Sequence, residues 1–405
     1  MYLRNKLEVK SGLVKKGGVL SSISILFLLS ACNPTNYYLN NESKPDYQPT
    51  KVKLGEMLFS DKSLSRDGNQ SCATCHNSEH AFIDNRVNAT SHDTKTPGAV
   101  SLGQDDRALG DRNTPTAAYA AFIPDFYFDE AEGLFKGGQF FDGREKNLQG
   151  QAGQPFLNPV EMQSTKKSVV SKVQRKYGAV MNQLYGANVF ASVDTAFLAI
   201  TDSITKFEQS DVFSPFDSKF DKVLKGKEQF TQLEATGLKL FKAEDKGNCA
   251  ACHPVPTVTS RKQDSLFTDF TYDNLGTPRH DKVRTLNGKR NFVDNGLFIN
   301  PEVNDPNLKG AFRVSTLRNI AVTGPYMHNG IFKDLKTVVH FYNTRDVVGA
   351  INPETHAKWK PAEYDVNKNM EELGDLKLTN EEEDAIVAFM KTLTDSRYIH
   401  LTSEK

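Results

Sequence analysis

The sequence predicts a mostly α-helical chain made of two similar halves, with long irregular loops in both. Three observations carry this expectation. A five-residue string occurs twice, as Cys72-Ala-Thr-Cys75-His76 and as Cys249-Ala-Ala-Cys252-His253. Each copy follows a short amphipathic segment with glycine at the same place, Leu54-Gly55 to Leu58-Phe59 in one and Thr236-Gly237 to Leu240-Phe241 in the other. Each half then closes on apolar residues at helical spacing, and the alternating runs that would mark strands are sparse.

Taken in chain order, residues 1–18 carry Arg4, Lys6, Lys10, Lys15 and Lys16, and an apolar stretch follows from Val19 to Leu29. The stretch is too short to span a bilayer and ends in Leu29-Ser30-Ala31-Cys32, which predicts a secretory signal over 1–31. That ending resembles a bacterial lipobox. It implies acylation of Cys32 and a periplasmic protein held only by an N-terminal lipid, with Asn33 favouring the outer membrane. Residues 32–50, rich in Asn, Pro, Tyr and Ser, read as a tether.

The first domain is expected over 51–210, closing on Phe197, Ile200, Ile204 and Phe207. A linker over 211–227 includes Pro215, which breaks the preceding helix. The second domain, 228–400, closes on Ile386, Phe389, Met390 and Leu393, after a Thr379 N-cap with Glu382 three residues on. Loops 84–116 and 254–310 are long enough to suggest that they wrap a cofactor.

C-x-x-C-H is the attachment signature of a c-type haem. Its thiols add across the haem vinyl groups, and its histidine becomes an axial iron ligand. A redox dithiol needs no trailing histidine, and no further C-x-x-C or H-x-x-x-H remains to complete a zinc site. Two covalent haems are therefore expected, on Cys72, Cys75 and His76 and on Cys249, Cys252 and His253, in two cytochrome c-type domains related by a degenerate repeat. Fifty basic and fifty acidic residues balance, and removing 1–31, with five basic and one acidic, leaves −4. That balance lacks the basic footprint of nucleic-acid binding. His80, His92, His280, His356 and His400 fit no ligand pattern and read as surface or loop residues.

Two haem motifs do not by themselves define a function. More specific are Phe140-Phe141-Asp142-Gly143-Arg144, Gln151, Pro155 and Asn158-Pro-Val-Glu161-Met162. Together with Arg112-Asn113-Thr-Pro-Thr116 and Thr323-Gly-Pro325-Tyr326-Met327-His328-Asn-Gly330, they resemble the bacterial dihaem cytochrome c peroxidase/MauG family over residues 50–397. The resemblance implies hydrogen peroxide reduction at the first haem, with Glu161 as the acid/base, Gln151 holding peroxide and Pro155 in the same catalytic string. It implies a second haem that stores or relays oxidising equivalents. Tyr342 stands where the peroxidase branch has a methionine ligand and looks like the MauG branch, with Met327 and His328 as competing ligands. Calcium is implied at Asn113 and at the Thr323 and Pro325 carbonyls.

Two departures matter. Gln104 replaces a histidine that caps the resting peroxidatic haem in many relatives, implying a five-coordinate first haem. Phe141 replaces a tryptophan between the haems, and the only tryptophan, Trp359, lies elsewhere. The oxidising equivalents would go to a small electron-donor protein or, as in MauG, to residues of a partner protein. A dihaem electron carrier without enzyme activity is the alternative, and it leaves Glu161 and Gln151 unexplained.

Overall fold

The structure, a computed structural model, describes residues 49–105 and 107–403. The expected export signal (1–31), the acylated Cys32 and nearly all of the tether (32–50) lie outside the described residues. Thr50 caps α1 (Lys51–Ser60), its hydroxyl accepting from Lys53 N at 3.2 Å, a bond type worth about 1 kcal/mol. The first haem motif forms a single turn, α2 (Cys72–Cys75). Among its described residues, 84–116 has no helix and no strand beyond a single bridge. A short hairpin, β1 (Tyr127–Asp129) with β2 (Leu134–Lys136), precedes α3 (Leu148–Leu157), α4 (Lys166–Tyr185) and α5 (Val193–Glu208).

The segment expected as a linker carries a helix of its own, α6 (Lys219–Leu224). Its Phe220 packs into the apolar cluster of the second half. Its Asp221 accepts from the buried Arg318 guanidinium at 2.6 and 3.0 Å. Then come α7 (Gln232–Lys242), a 3₁₀ turn at Cys249–Ala251, β3 (Tyr272–Asp273), α8 (Asp281–Leu286), β4 (Phe312–Arg313), α9 (Leu335–Thr344), β5 (Ile351–Asn352), β6 (Ala357–Lys358) and α10 (Asn380–Lys391). The strands form three antiparallel pairs, β1 with β2, β3 with β4 and β5 with β6, so the chain is mostly helical as expected. The predicted capping box at α10 is present: Glu382 N donates to Thr379 Oγ1 at 3.2 Å, and Thr379 N to Glu382 Oε2 at 2.9 Å.

The repeat is repeated packing as well as repeated sequence. In the first half α1 crosses α5, and in the second α7 crosses α10, each at the glycine singled out above. A Cβ on Gly55 would lie 1.9 Å from Ser203 O and 2.9 Å from Phe207 Cβ. On Gly237 it would lie 1.9 Å from Ala385 O and 2.9 Å from Phe389 Cβ. No side chain fits between helices this close, which is why the sequence has glycine there twice. One turn later the aromatic contacts also match. Phe59 meets Phe207 edge to face at 5.5 Å, and Phe241 meets Phe389 at 5.2 Å.

Overpacking a tight core contact typically costs about 1–3 kcal/mol. Gly55→Ala and Gly237→Ala should each destabilise the holoprotein by at least that in chemical denaturation. Gly178→Ala, in α4 with nothing within 4 Å of the new Cβ, should instead be neutral or stabilise by up to about 1 kcal/mol.

Candidate functional site

Both motif histidines are fixed by the same device. His76 Nδ1 donates to the Phe82 carbonyl at 3.0 Å, and His253 Nδ1 donates to the Phe267 carbonyl at 2.7 Å. Both accepting residues have left-handed backbones, Phe82 with φ 54° and Phe267 with φ 53°, a conformation that costs non-glycine residues about 1–3 kcal/mol. A threonine pins each turn: Thr116 Oγ1 donates to Ala81 O and Thr316 Oγ1 to Leu266 O, both at 2.6 Å. Donation through Nδ1 fixes the tautomer and leaves each Nε2 lone pair free for a metal. Burial also lowers both imidazole pKa values, keeping the ligand form neutral. The four motif cysteines are free of disulfides. This donor set fits two covalently attached haems.

Two cavities receive these motifs. The first, of about 350 Å³, is lined by Cys72, Cys75 and His76 together with Gln151, Pro155 and Glu161. The second, of about 260 Å³, is lined by Cys249, Cys252 and His253 with Tyr342, Met327 and His328. All these expected residues are thus brought to the cavity assigned to them.

In the first cavity α3 presents Gln151 and Pro155, and the turn after it presents Glu161. Pro155 has no N–H to offer the Gln151 carbonyl four residues back, which weakens the helix just before it ends at Asn158. Asn158 Nδ2 then donates to Glu161 Oε1 at 2.5 Å. Burial pushes the Glu161 carboxyl up, against the opposing pull of Asn158 and the Arg144 charge. Gln104 turns away from the cavity: its amide accepts from Asp67 N at 2.9 Å and donates to Asp67 Oδ2 at 2.8 Å.

In the second cavity α9 places Tyr342. Burial first, and then the neighbouring Cys252 and Cys249, push its phenol well above the usual range. Only a cation at the site would favour its phenolate. His328 differs: its ring stacks on Phe312 with centroids 3.6 Å apart. Burial pulls it down to about 3, and the charges it senses are Asp294, Arg112 and Arg284 rather than the motif cysteines.

Asn113, Thr323 and Pro325 meet at a small void of about 10 Å³, lined also by Asp84 and Ser101. The Asn113 amide donates to Ala99 O at 3.0 Å, which leaves its oxygen as an acceptor. Oxygen donors of this kind, an amide oxygen with backbone carbonyls, are of the type calcium takes rather than a soft metal. Phe141 lines both haem cavities, as does Arg313, whose N–H donates to Phe141 O at 2.8 Å.

Sequence reasoning missed three features. Asp142, fully buried, accepts from Arg112 Nη1 at 2.6 Å and from Arg144 Nη1 at 2.8 and 2.9 Å, which makes the Asp-Gly-Arg string a buried ion network. Glu208 lines the first cavity with Oε2 unpartnered, and burial lifts its carboxyl to about 8. A glutamate beside Phe207 on the apolar face of α5 was the available signal. His280 is a loop residue as expected, but a buried one that caps α8 through Nδ1.

Two half-buried histidines, each aimed by a carbonyl beside a C-x-x-C pair and each facing its own cavity, define a dihaem c-type oxidoreductase. Comparison with known proteins agrees. The model of the di-haem cytochrome c peroxidase family matches residues 49–229. The methylamine utilization protein MauG of Paracoccus denitrificans is 44% identical over 363 residues, covering 87% of this chain and 90% of that protein. The cytochrome c551 peroxidase of Nitrosomonas europaea is 31% identical over 69% of this chain and 68% of its own length. The crystal structure of the diheme peroxidase BthA from Burkholderia thailandensis superposes with a TM-score of 0.76, at 30% identity and 87% coverage of both chains. The chain belongs to the dihaem cytochrome c peroxidase/MauG family, and it is an enzyme of the peroxidase type rather than a simple electron carrier.

Matured with a c-haem assembly system, the full chain should gain the mass of two haems. Cys249→Ala, which removes one thioether and leaves the first cavity intact, should retain a normally attached first haem and lose the second or hold it by one bond. Intact-protein mass spectrometry and a pyridine haemochrome spectrum read this directly.

Proposed function

We propose that the first cavity reduces hydrogen peroxide and that the second stores the resulting oxidising equivalents for delivery to a protein partner. The observation that carries this is the sharing of one cavity by Gln151, Pro155, Glu161 and the Cys72–His76 motif, while Gln104 is turned away to Asp67. Bound haem supplies the two-electron redox chemistry that converts peroxide to water. The chain supplies position and protons. His76 Nε2 would hold the first iron, and Gln151 would hold peroxide without titrating. Glu161 would take the proton from the inner peroxide oxygen and return it to the outer one. Its buried setting keeps its pKa nearer the working range than that of an exposed carboxylate.

For the second haem, we assign Tyr342 as an iron ligand in addition to His253. α9 brings Tyr342 into the cavity lined by His253, whereas the His328 ring is stacked on Phe312 at 3.6 Å. A phenolate favours oxidised iron, and methionine the reduced form. That choice, with Gln104 in place of a capping group, favours oxidation of a partner protein's side chains over rapid turnover with a small electron donor. We also assign calcium to Asn113 and to the Thr323 and Pro325 carbonyls. The two haem domains are read as 51–210 and 228–400, with α6 of the intervening segment packed onto the second, and the protein as periplasmic, anchored in the outer membrane through Cys32.

General acid–base groups typically contribute about 10²- to 10⁴-fold. Glu161→Gln should therefore keep both haems and slow the reaction of the oxidised protein with peroxide by that factor in stopped-flow spectra. The ionised carboxylate takes the proton, so the native rate should rise as pH rises through the raised Glu161 pKa. The variant should lose this limb. A native rate in Glu161→Gln would remove the proposed proton path.

Electron paramagnetic resonance of the oxidised protein should show one high-spin and one low-spin haem. Tyr342→Phe should abolish or alter the low-spin signal alone; an unaltered signal would move the assignment to Met327 or His328. Steady-state peroxide turnover with a reduced small cytochrome should be slow beside the single-turnover reaction. Fast turnover would favour the donor-fed peroxidase.

A further inference from the structure

The two motifs are alike in sequence, yet their second cysteines face opposite chemistry. In the holoprotein each sulfur is the thioether to its haem, so the groups around it act on the edge of the ring. Cys75 Sγ meets hydrogen-bond donors: Gln70 Nε2 at 3.2 Å and Arg86 Nη2 at 3.4 Å. Arg86 also grips Asp84 at 2.6 and 2.8 Å, so this edge carries a compensated ion pair with one Arg86 N–H on the sulfur.

Cys252 Sγ meets carboxylates instead. Glu372 Oε2 lies 3.8 Å away, and Asp273 offers an oxygen within 4.8 Å of the same group of atoms. Both acids line the second haem cavity along with Tyr342. One amide holds them together: Asn369 Nδ2 donates to Asp273 Oδ2 at 2.6 Å and to Glu372 Oε2 at 2.8 Å. Among the described residues, neither acid forms an ion pair with Lys, Arg or His. Arg345, the cation whose charge reaches Asp273, is committed to Asp346 at 2.5 and 2.9 Å and to backbone carbonyls. Lys368 is likewise held by Asp346 and Asp365.

Negative charge beside a haem stabilises the more positive, oxidised iron, and positive charge does the reverse. The effect is strong where water is excluded and charge is uncompensated. We propose that Asp273 and Glu372 are tuning residues that lower the potential of the second haem relative to the first, so that oxidising equivalents generated at the first cavity settle in the second. The electron balance is simple. Peroxide would take two electrons, one drawn from each haem, and the acidic edge would stabilise the deficit left at the second. The inference rests on the reading that the second haem is attached at Cys249 and Cys252.

Glu372→Gln is the cleanest probe, because the new amide oxygen can still accept from Asn369 and only the charge is lost. In a spectroelectrochemical titration of the holoprotein, Glu372→Gln and Asp273→Asn should each raise the midpoint of the Tyr342-side haem. The expected change is about tenfold in the oxidised-to-reduced ratio at fixed potential, or about 59 mV for a one-electron couple. Glu372→Lys should shift it further in the same direction, and the first haem should move much less. A role confined to holding the loop would not produce a shift graded with charge. At the other edge, Arg86→Gln should lower the first haem's midpoint, and Arg86→Lys should keep it near native. A wild-type protein lacking two haems by mass would sink the attachment reading itself. Two haems with a second-haem midpoint indifferent to Glu372→Gln, Glu372→Lys and Asp273→Asn would overturn this inference alone.

Discussion

The hydrogen bond from each motif histidine to a backbone carbonyl organises both halves of the molecule. To accept from His76, the Phe82 carbonyl must turn inward, which puts Phe82 in the left-handed region; Phe267 does the same for His253. That conformation is held by a threonine from a segment far along the chain, Thr116 in one half and Thr316 in the other. Those segments in turn run into 3₁₀ turns whose leading residues, Tyr119 and Asn319, are also left-handed. Both are tied to one buried carboxylate, Asp395, at 2.6 and 2.8 Å. A strained but pinned set of turns around each histidine is therefore locked to its counterpart through a single residue.

Around this shared frame the halves diverge where function requires it. Position for position on the closing helices, Phe207 corresponds to Phe389, so buried Glu208 stands where the second half has Met390. The first cavity carries the polar side chains Gln151 and Glu161. In the second, α9 contributes Tyr342 to the lining. Phe141 and Arg313 stand between them and line both. Phenylalanine is harder to oxidise than tryptophan, so this wall shapes the space between the cavities without offering an easily oxidised ring. The two cavities therefore differ in the side chains they present, a carboxylate and an amide in one and a phenol in the other.

Much of this was legible in the sequence. C-x-x-C-H is local chemistry: the two thiols and the histidine must be neighbours in the chain to clasp one ring, so the motif survives as a string. The paired glycines and the apolar spacing of the closing helices were legible for a similar reason, since helix packing repeats every three to four residues. The Thr379–Glu382 cap was readable because a capping box is also a local pattern. Family resemblance added Glu161, Gln151, Pro155 and Tyr342, and the fold gathers each of them to the expected cavity.

What only the tertiary structure decided are the contacts between residues distant in sequence. Nothing local marks Asp142 as the buried acceptor of Arg112, or shows that Gln104 turns to Asp67 rather than toward the haem. Glu372 and Cys252 are 120 residues apart, and their approach depends on where the 363–375 loop lands against β3. The sequence by itself determined which groups bind the cofactors, because covalent attachment and helix packing act over a few residues. The charge, burial and openness of each cavity came from the fold, because electrostatic energy depends on distance in space and on the exclusion of water, and neither is written at any single position.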